Sequence, residues 1–374
     1  MGKSYICLLG RLILLCCIVF ILEGCKKQQT LESVIPERVI DFSQCIQKSW
    51  EELPDSLFGK KEYILLDTTH AECDFGEMSK VIIRNDRIYI LDAHLKKLVV
   101  YNMQGKGIGQ VGKRGQGPEE YLDISDFDVS ANGDIYFIDG RLDKLFCFGR
   151  DLRFSYRKEL PFEADVVSVL DTGGFLFGLS SWNKGACEGY KIVRTDEALK
   201  VNRTYLEYDE YVDPTYWIST YTFIRSADCL SYNQPIDNHI YVFDEAGVPI
   251  ECIRFDFADR NVPDEYKKDI EKYLPSFDQC YLLKNFVVVT EHIIAGALWI
   301  NRQTVPFVFD LAQDICYLSD PKEDYDHSYM AGYSGSRWIT YIEPDMEQQE
   351  VIPDSVSEYV EKGGFVLGLQ LLQE

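Results

Sequence analysis

The chain has 374 residues, 46% of them hydrophobic and 13% aromatic, and a formal net charge of −23. That length can bury a large core, and all-β folds of this size often form one unit. So acidic a chain repels phosphate backbones and anionic lipid, which excludes nucleic acid as an expected partner. Twelve cysteines are present, but none forms a C-x-x-C pair, so neither a zinc knuckle nor a thioredoxin-like site is indicated.

Residues 1–24 read as a secretory leader. Lys3 and Arg11 precede an apolar run at 12–22, shorter than the roughly 20 residues a membrane span needs. "LEGC" at 22–25 resembles a bacterial lipobox, which implies lipid attachment at Cys25; Glu23 departs from the small residues usual in such a box. Residues 25–60 hold no repeat and are expected to form a tether and N-terminal segment. The folded domain is expected over 61–374.

Two stretches align without a gap. "NDRIYILDAHLKKLVVYN" starts at Asn85 and "NGDIYFIDGRLDKLFCFG" at Asn132, which puts Ile88 over Ile135, Tyr89 over Tyr136 and Asp92 over Asp139 at a constant offset of 47. "DNHIYVFDEAG" from Asp237 is a third copy, with Ile240, Tyr241 and Asp244 in register, and 172–179, 284–291 and 336–343 are weaker echoes. Each unit reads as turn, apolar run, polar turn, apolar run. The runs are rich in Ile, Val, Tyr and Phe and are apolar at consecutive positions, the pattern of strands covered on both faces. Hairpin repeats of about 40–50 residues predict an all-β, six-bladed β-propeller of four-stranded antiparallel blades with short helical insertions.

"GIGQVGKR" at 107–114 reads both as G-x-G-x-x-G and as a Walker A loop without its final hydroxyl. Either loop must open a helix, whose N-terminal amides hold the phosphates. Gly115, Gly117 and Pro118 forbid one here. The run is therefore read as a linker between blades, with glycines where φ is positive. "DVSANGDIYFID" at 128–139 places Asp128, Ser130 and Asn132 as in a calcium loop. It lacks the flanking helices and reads as a hairpin with Asn-Gly at its tip. The eight cysteines that follow Cys25 read as small buried thiols rather than a disulfide framework.

"GKRGQGPEEY" at 112–121, followed by "DFDVSANGDIYFIDGRLDKLFCF", resembles the six-bladed β-propeller lipoproteins of gut Bacteroidetes, which are related in shape to NHL-repeat propellers. Gly115, Gly117, Pro118, Glu120 and Tyr121 keep the linker pattern of that family, while Glu119 replaces its last glycine. "IRFDF" and the helix-like "PDEYKKDIEKYL" at 263–274 also match, and "GGFVLGLQLL" near the C-terminus is expected to close the last blade. The resemblance implies a fold far more than a reaction. In such bacteria an acidic cluster after the lipid-bearing cysteine favours surface display. Here Lys26 and Lys27 follow Cys25, and the first acid is Glu32. The expected location is the periplasmic side of the outer membrane, with the cell surface as the alternative.

Two function classes remain. One is a membrane-anchored binding or interaction propeller for glycan or peptide ligands. Its candidate contacts are the polar loop residues Lys113, Arg114, Glu119, Glu120 and Tyr121, and an aromatic platform at Tyr216 and Trp217. The other is a propeller hydrolase or lyase with a metal in its central channel. That chemistry wants converging ligands, yet His70, His94, His239, His292 and His327 form no closely spaced pair. No catalytic residue, metal ligand or cofactor is assigned from the sequence, and the partners expected are the membrane, through Cys25, and a carbohydrate or protein.

Overall fold

The computed structural model describes residues 35–67, 69–208, 213, 216, 221–227, 229–319, 329–344 and 352–372. Cys25 and Trp217 lie outside them.

Six sheets form six blades in chain order. Blade one runs β4 (Lys80–Arg84), β5 (Arg87–Asp92), β6 (Lys97–Asn102), β7 (Gly107–Gln110); blade two runs β8 (Asp126–Val129), β9 (Ile135–Asp139), β10 (Lys144–Phe148), β11 (Phe154–Glu159). Blade three holds β12 (Ala164–Val169) to β15 (Val201–Glu207), and blade four β16 (Ile224–Arg225), β17 (Leu230–Asn233), β18 (His239–Phe243) and β19 (Pro249–Asp256). In blade five the inner strand is split into β20 (Leu282–Leu283) and β21 (Val288–Val289), both paired with β22 (Ile293–Ile300), followed by β23 (Gln303–Asp310) and β24 (Ile315–Leu318). Blade six holds β25 (Tyr329–Ser334), β26 (Arg337–Ile342) and β27 (Val366–Leu371).

The 47-residue register survives between blades one and two: Ile88 and Ile135 each sit in the second strand of their blade. Ile240 departs from it, lying in the third strand of blade four, so the third copy is displaced by one strand; all three side chains are fully buried. All residues of β5 but Arg87, and all of β9 but Tyr136, are buried, as strands sandwiched between neighbouring blades require. The outer strand β11 instead alternates partly buried and exposed residues, since one of its faces meets water.

The closure of the ring differs from expectation. The last blade is completed by β3 (Glu62–Leu65), which pairs antiparallel with β27, so the C-terminal strand is third and not outermost. Residues read as tether also join the sheets. The strands β1 (Glu37–Asp41) and β2 (Ile46–Ser49) pair in parallel with β19 and β24. An outer strand otherwise leaves a row of amides and carbonyls unpaired, and an added strand satisfies one side of it. The Gly run also differs from a pure linker: Gly107 and Gly109 lie within β7, and only Gly112, at φ +62°, makes the turn towards blade two. A Cβ there would come within 2.8 Å of the Phe148 ring.

The insertion after β19 forms helices at Asp264–Lys268 and Ile270–Tyr273, then a 3-10 segment. Asp269 breaks the first helix and caps the second by accepting from the Lys272 amide at 3.3 Å. No described helix is long and apolar enough to cross a membrane. Among the described cysteines none is in a disulfide, and all but Cys229 are buried.

Candidate functional site

Inner-strand residues of several blades meet around one cavity, where Lys80, Arg84, Asp128, Ser168 and Arg225 stand beside apolar residues such as Ile224 and Phe286. Lys80 Nζ donates to Asp126 Oδ1 at 2.7 Å, to the Phe127 carbonyl at 2.8 Å and to Thr222 Oγ1 at 2.6 Å. All three ammonium protons thus have acceptors. The ammonium also lies 5.3 Å from the centre of the Phe127 ring. On the far side, Asp126 Oδ2 accepts from the Val167 amide at 3.0 Å. Burial pushes the Asp126 carboxyl above its ordinary range even with Lys80 beside it.

A second node lies one turn along the inner strands. Asp128 Oδ2 accepts from the Val169 amide at 2.8 Å, the Ser168 hydroxyl at 3.0 Å and Arg225 at 3.3 Å, and its Oδ1 from the Val129 amide at 2.8 Å. Burial alone would raise this carboxyl, but Arg225, Lys80 and the two amides outweigh it and hold it below the usual range. Arg225 also donates to the Val169 carbonyl. Arg84 bonds the Val129 carbonyl at 2.6 Å and pairs with Asp171. The cavity left beside these groups is about 30 Å³, room for about two waters and well below the roughly 150 Å³ that accommodates a benzene ring.

The loop that leads from blade one to blade two carries five of the predicted contacts, and the structure divides them. Lys113, Arg114 and Glu119 are exposed. Glu120 turns inward and accepts from the Gly117 amide at 2.7 Å. A Cβ on Gly115 would fall 2.1 Å from Glu120 Oε2, so the G-x-G-P-E-E-Y spacing makes room for that carboxylate. Tyr121 is a core residue and not a surface contact: it is fully buried, edge-on to Phe137 at 5.1 Å. Its backbone closes the loop, donating to Lys113 O at 3.2 Å and accepting from Gly115 N at 2.9 Å. Tyr216 is half-buried against the helical insertion, beside Tyr266 and Tyr273, so packing accounts for its ring.

The residues of the calcium-like stretch do not converge. Asp128 belongs to the channel, and the turn closes by Gly133 N to Ser130 O at 2.9 Å. Asp139 instead accepts from the amides of Leu122 at 2.7 Å, Arg141 at 3.0 Å and Leu142 at 3.2 Å. Asp92 does the same in blade one, with Gly76 and Leu95. The repeated aspartate is thus a clamp between an interblade loop and a hairpin. The channel residues Lys80 and Arg225 escaped sequence reading because a single Lys or Arg in an apolar strand carries no motif; their signal was a charge inside a run that is otherwise buried, while Thr222, an uncharged residue before β16, gave none. Away from the channel, Glu37, His239 and Cys252 bring one ligand atom each within 4.8 Å of the others.

Comparisons with known proteins agree with this architecture. The chain resembles the crystal structure of an exported protein from Bacteroides fragilis at TM-score 0.73 and 20% identity, over 90% of this chain and 100% of that one. It resembles a member of the DUF4221 family from Bacteroides vulgatus at TM-score 0.52 and 9% identity, over 84% of this chain and 96% of that one. At such identities the likeness concerns the fold. No curated protein matches the chain. A family model, described as a domain of unknown function, DUF4934, matches residues 37–357. With six propeller blades in place and the match covering most of them, the chain belongs to the DUF4934 family.

Proposed function

We propose that the protein is a lipid-anchored envelope lipoprotein whose propeller is a binding module for a glycan or peptide partner, engaged at its rim. The observation that carries this reading is the filled channel. A 30 Å³ cavity takes no sugar or peptide side chain. Asp126 and Asp128, the carboxylates a channel metal would recruit, already accept from Lys80, Arg225 and backbone amides. Their commitment argues against the hydrolase or lyase alternative.

Contact then falls to the rim, where loops on a rigid scaffold carry function. The loop 113–121 suits that task. Glu120 and Tyr121 hold its frame from inside, and Lys113, Arg114 and Glu119 project from it. Trp217 is the proposed aromatic element, next in sequence to Tyr216, which packs against the helical insertion. Lipid on Cys25 supplies the attachment, and the basic residues after it favour the periplasmic side of the outer membrane. A single acyl chain binds membranes only marginally, but a bacterial lipoprotein carries two or three. A photo-crosslinking residue placed at Lys113 or Glu119 in cells tests the binding surface: the reading requires adducts from these positions.

A further inference from the structure

Glu37, His239 and Cys252 meet on one face of blade four because of the strand register. Glu37 lies opposite Cys252 across β1 and β19. His239 pairs with Arg254, two residues further along β19 and so on the same face as Cys252. His239 Nε2 stands 3.9 Å from Glu37 Oε1, and one ligand atom from each of the three lies within 4.8 Å of the others. The second ring nitrogen is already engaged: Nδ1 is hydrogen-bonded to Asp237. With Nδ1 directed at Asp237, Nε2 is the ring nitrogen that faces Glu37.

We propose that these residues form a zinc site that joins the N-terminal strand β1 to blade four. A thiolate, an imidazole and a carboxylate are the donor set zinc takes, with a water as fourth ligand on the side where Glu37 is exposed. Asp237 orients the imidazole as outer-shell carboxylates do at zinc histidines. Zinc binding would displace the Cys252 thiol proton to solvent. Arg254 is the competitor, 3.6 Å from Glu37, but it also reaches Asp256 at 3.3 Å and keeps a partner when Glu37 turns to the metal. Glu37 is half-exposed, so a change of its side-chain rotamer away from Arg254 can close the remaining gap to zinc bonding distances of about 2.0–2.3 Å. The site would fix β1 just where the chain enters the propeller from its tether.

The test uses the full chain in detergent, stripped with a chelator and titrated with zinc against a chromophoric competitor, and separately with cobalt(II). The expected result is a single equivalent bound, with a thiolate-to-cobalt absorption band. Cys252→Ser should abolish the band and weaken zinc at least tenfold, and Asp237→Asn should weaken it about 10–100-fold. Glu37→Gln, at an exposed position, gives a second reading if the cysteine variant misfolds, and should also weaken zinc; Cys229→Ser should change nothing. Absence of zinc binding by the wild type, or an affinity unchanged in both Cys252→Ser and Glu37→Gln, would overturn the proposal.

Discussion

Lys80 and Asp126 occupy the same position in adjacent blades and form an ion pair with each other at 2.7 Å. In the sheet registers Lys80 lies opposite Leu91 and Asp126 opposite Ile138, and Leu91 and Ile138 are 47 residues apart, the offset of the sequence repeat. One repeat position has therefore diverged into opposite charges that meet in the channel. Thr222 and Val167 extend the contact, so one node ties blades one, two and three to the segment entering blade four.

Breaking this pair should be costly, whereas removing both charges should not. Lys80→Met or Asp126→Leu alone leaves a buried charge uncompensated and should cost about 3–5 kcal/mol, while the double variant should recover most of that loss. Urea denaturation of the four proteins measures the coupling. Additive losses would mean that the two residues act independently.

The acid side of the stability curve should depend on Asp128. Its folded pKa is depressed, so its contribution is fully present above the unfolded value of about 3.9 and is lost as pH falls through the lower folded value. Asp126 is raised and has the opposite sign: folding is disfavoured as pH rises from the unfolded value through the folded one. Asp128→Asn should thus be less stable than wild type at pH 7 and show a shallower loss below pH 4. Equal slopes in the two proteins would exclude the role of Asp128.

Asp139→Ala should lower stability by about 2–3 kcal/mol, because it strips the acceptor from three backbone amides at once. Asp139→Asn keeps one acceptor oxygen and should lose less. Thermal melts in the two variants check the order.

The cysteines offer a probe of the core. Burial raises the thiols of Cys45, to about 11, and of Cys73, Cys147, Cys187, Cys280 and Cys316. Only the thiolate reacts, so Cys229, the one described cysteine that is not buried, should label first in the native protein. Peptide mapping after brief alkylation identifies it. Early labelling at Cys147 or Cys316 would contradict the packing described.

What could be read from the sequence follows from what repeats. The consecutive apolar runs around Ile88, Ile135 and Ile240 reported burial on both faces, and burial on both faces reports blades. Pairings between distant segments left no such trace. The runs 37–41 and 46–49 are too short and too polar to stand out, and their order comes from the outer strands they cover. Tyr121 looked like a surface contact because it ends a polar loop, yet its ring fills the space between Phe137 and the loop. Lys113, Arg114 and Glu119 remain outside because Glu120 alone satisfies the turn. The group Glu37, His239 and Cys252 could not be found by spacing, since two of its members join only through the parallel pairing of β1 with β19.

The anchor has its own test. Cys25→Ala should move the protein from the membrane to the soluble fraction with the propeller intact, and protease added to intact cells should leave the wild type uncut if it faces the periplasm. Membrane retention of the variant would remove the lipid anchor from the account, and cleavage of the wild type would place it on the surface.

The central claim, that a closed channel leaves binding to the rim, is tested most directly by photo-crosslinking in intact cells at paired positions. Probes at Lys113 and Glu119 report on the rim, and probes at Ser168 and Arg225 on the channel. The account predicts adducts with a partner from the rim positions and none from the channel; adducts from Arg225 or Ser168, with none from Lys113 or Glu119, would contradict it.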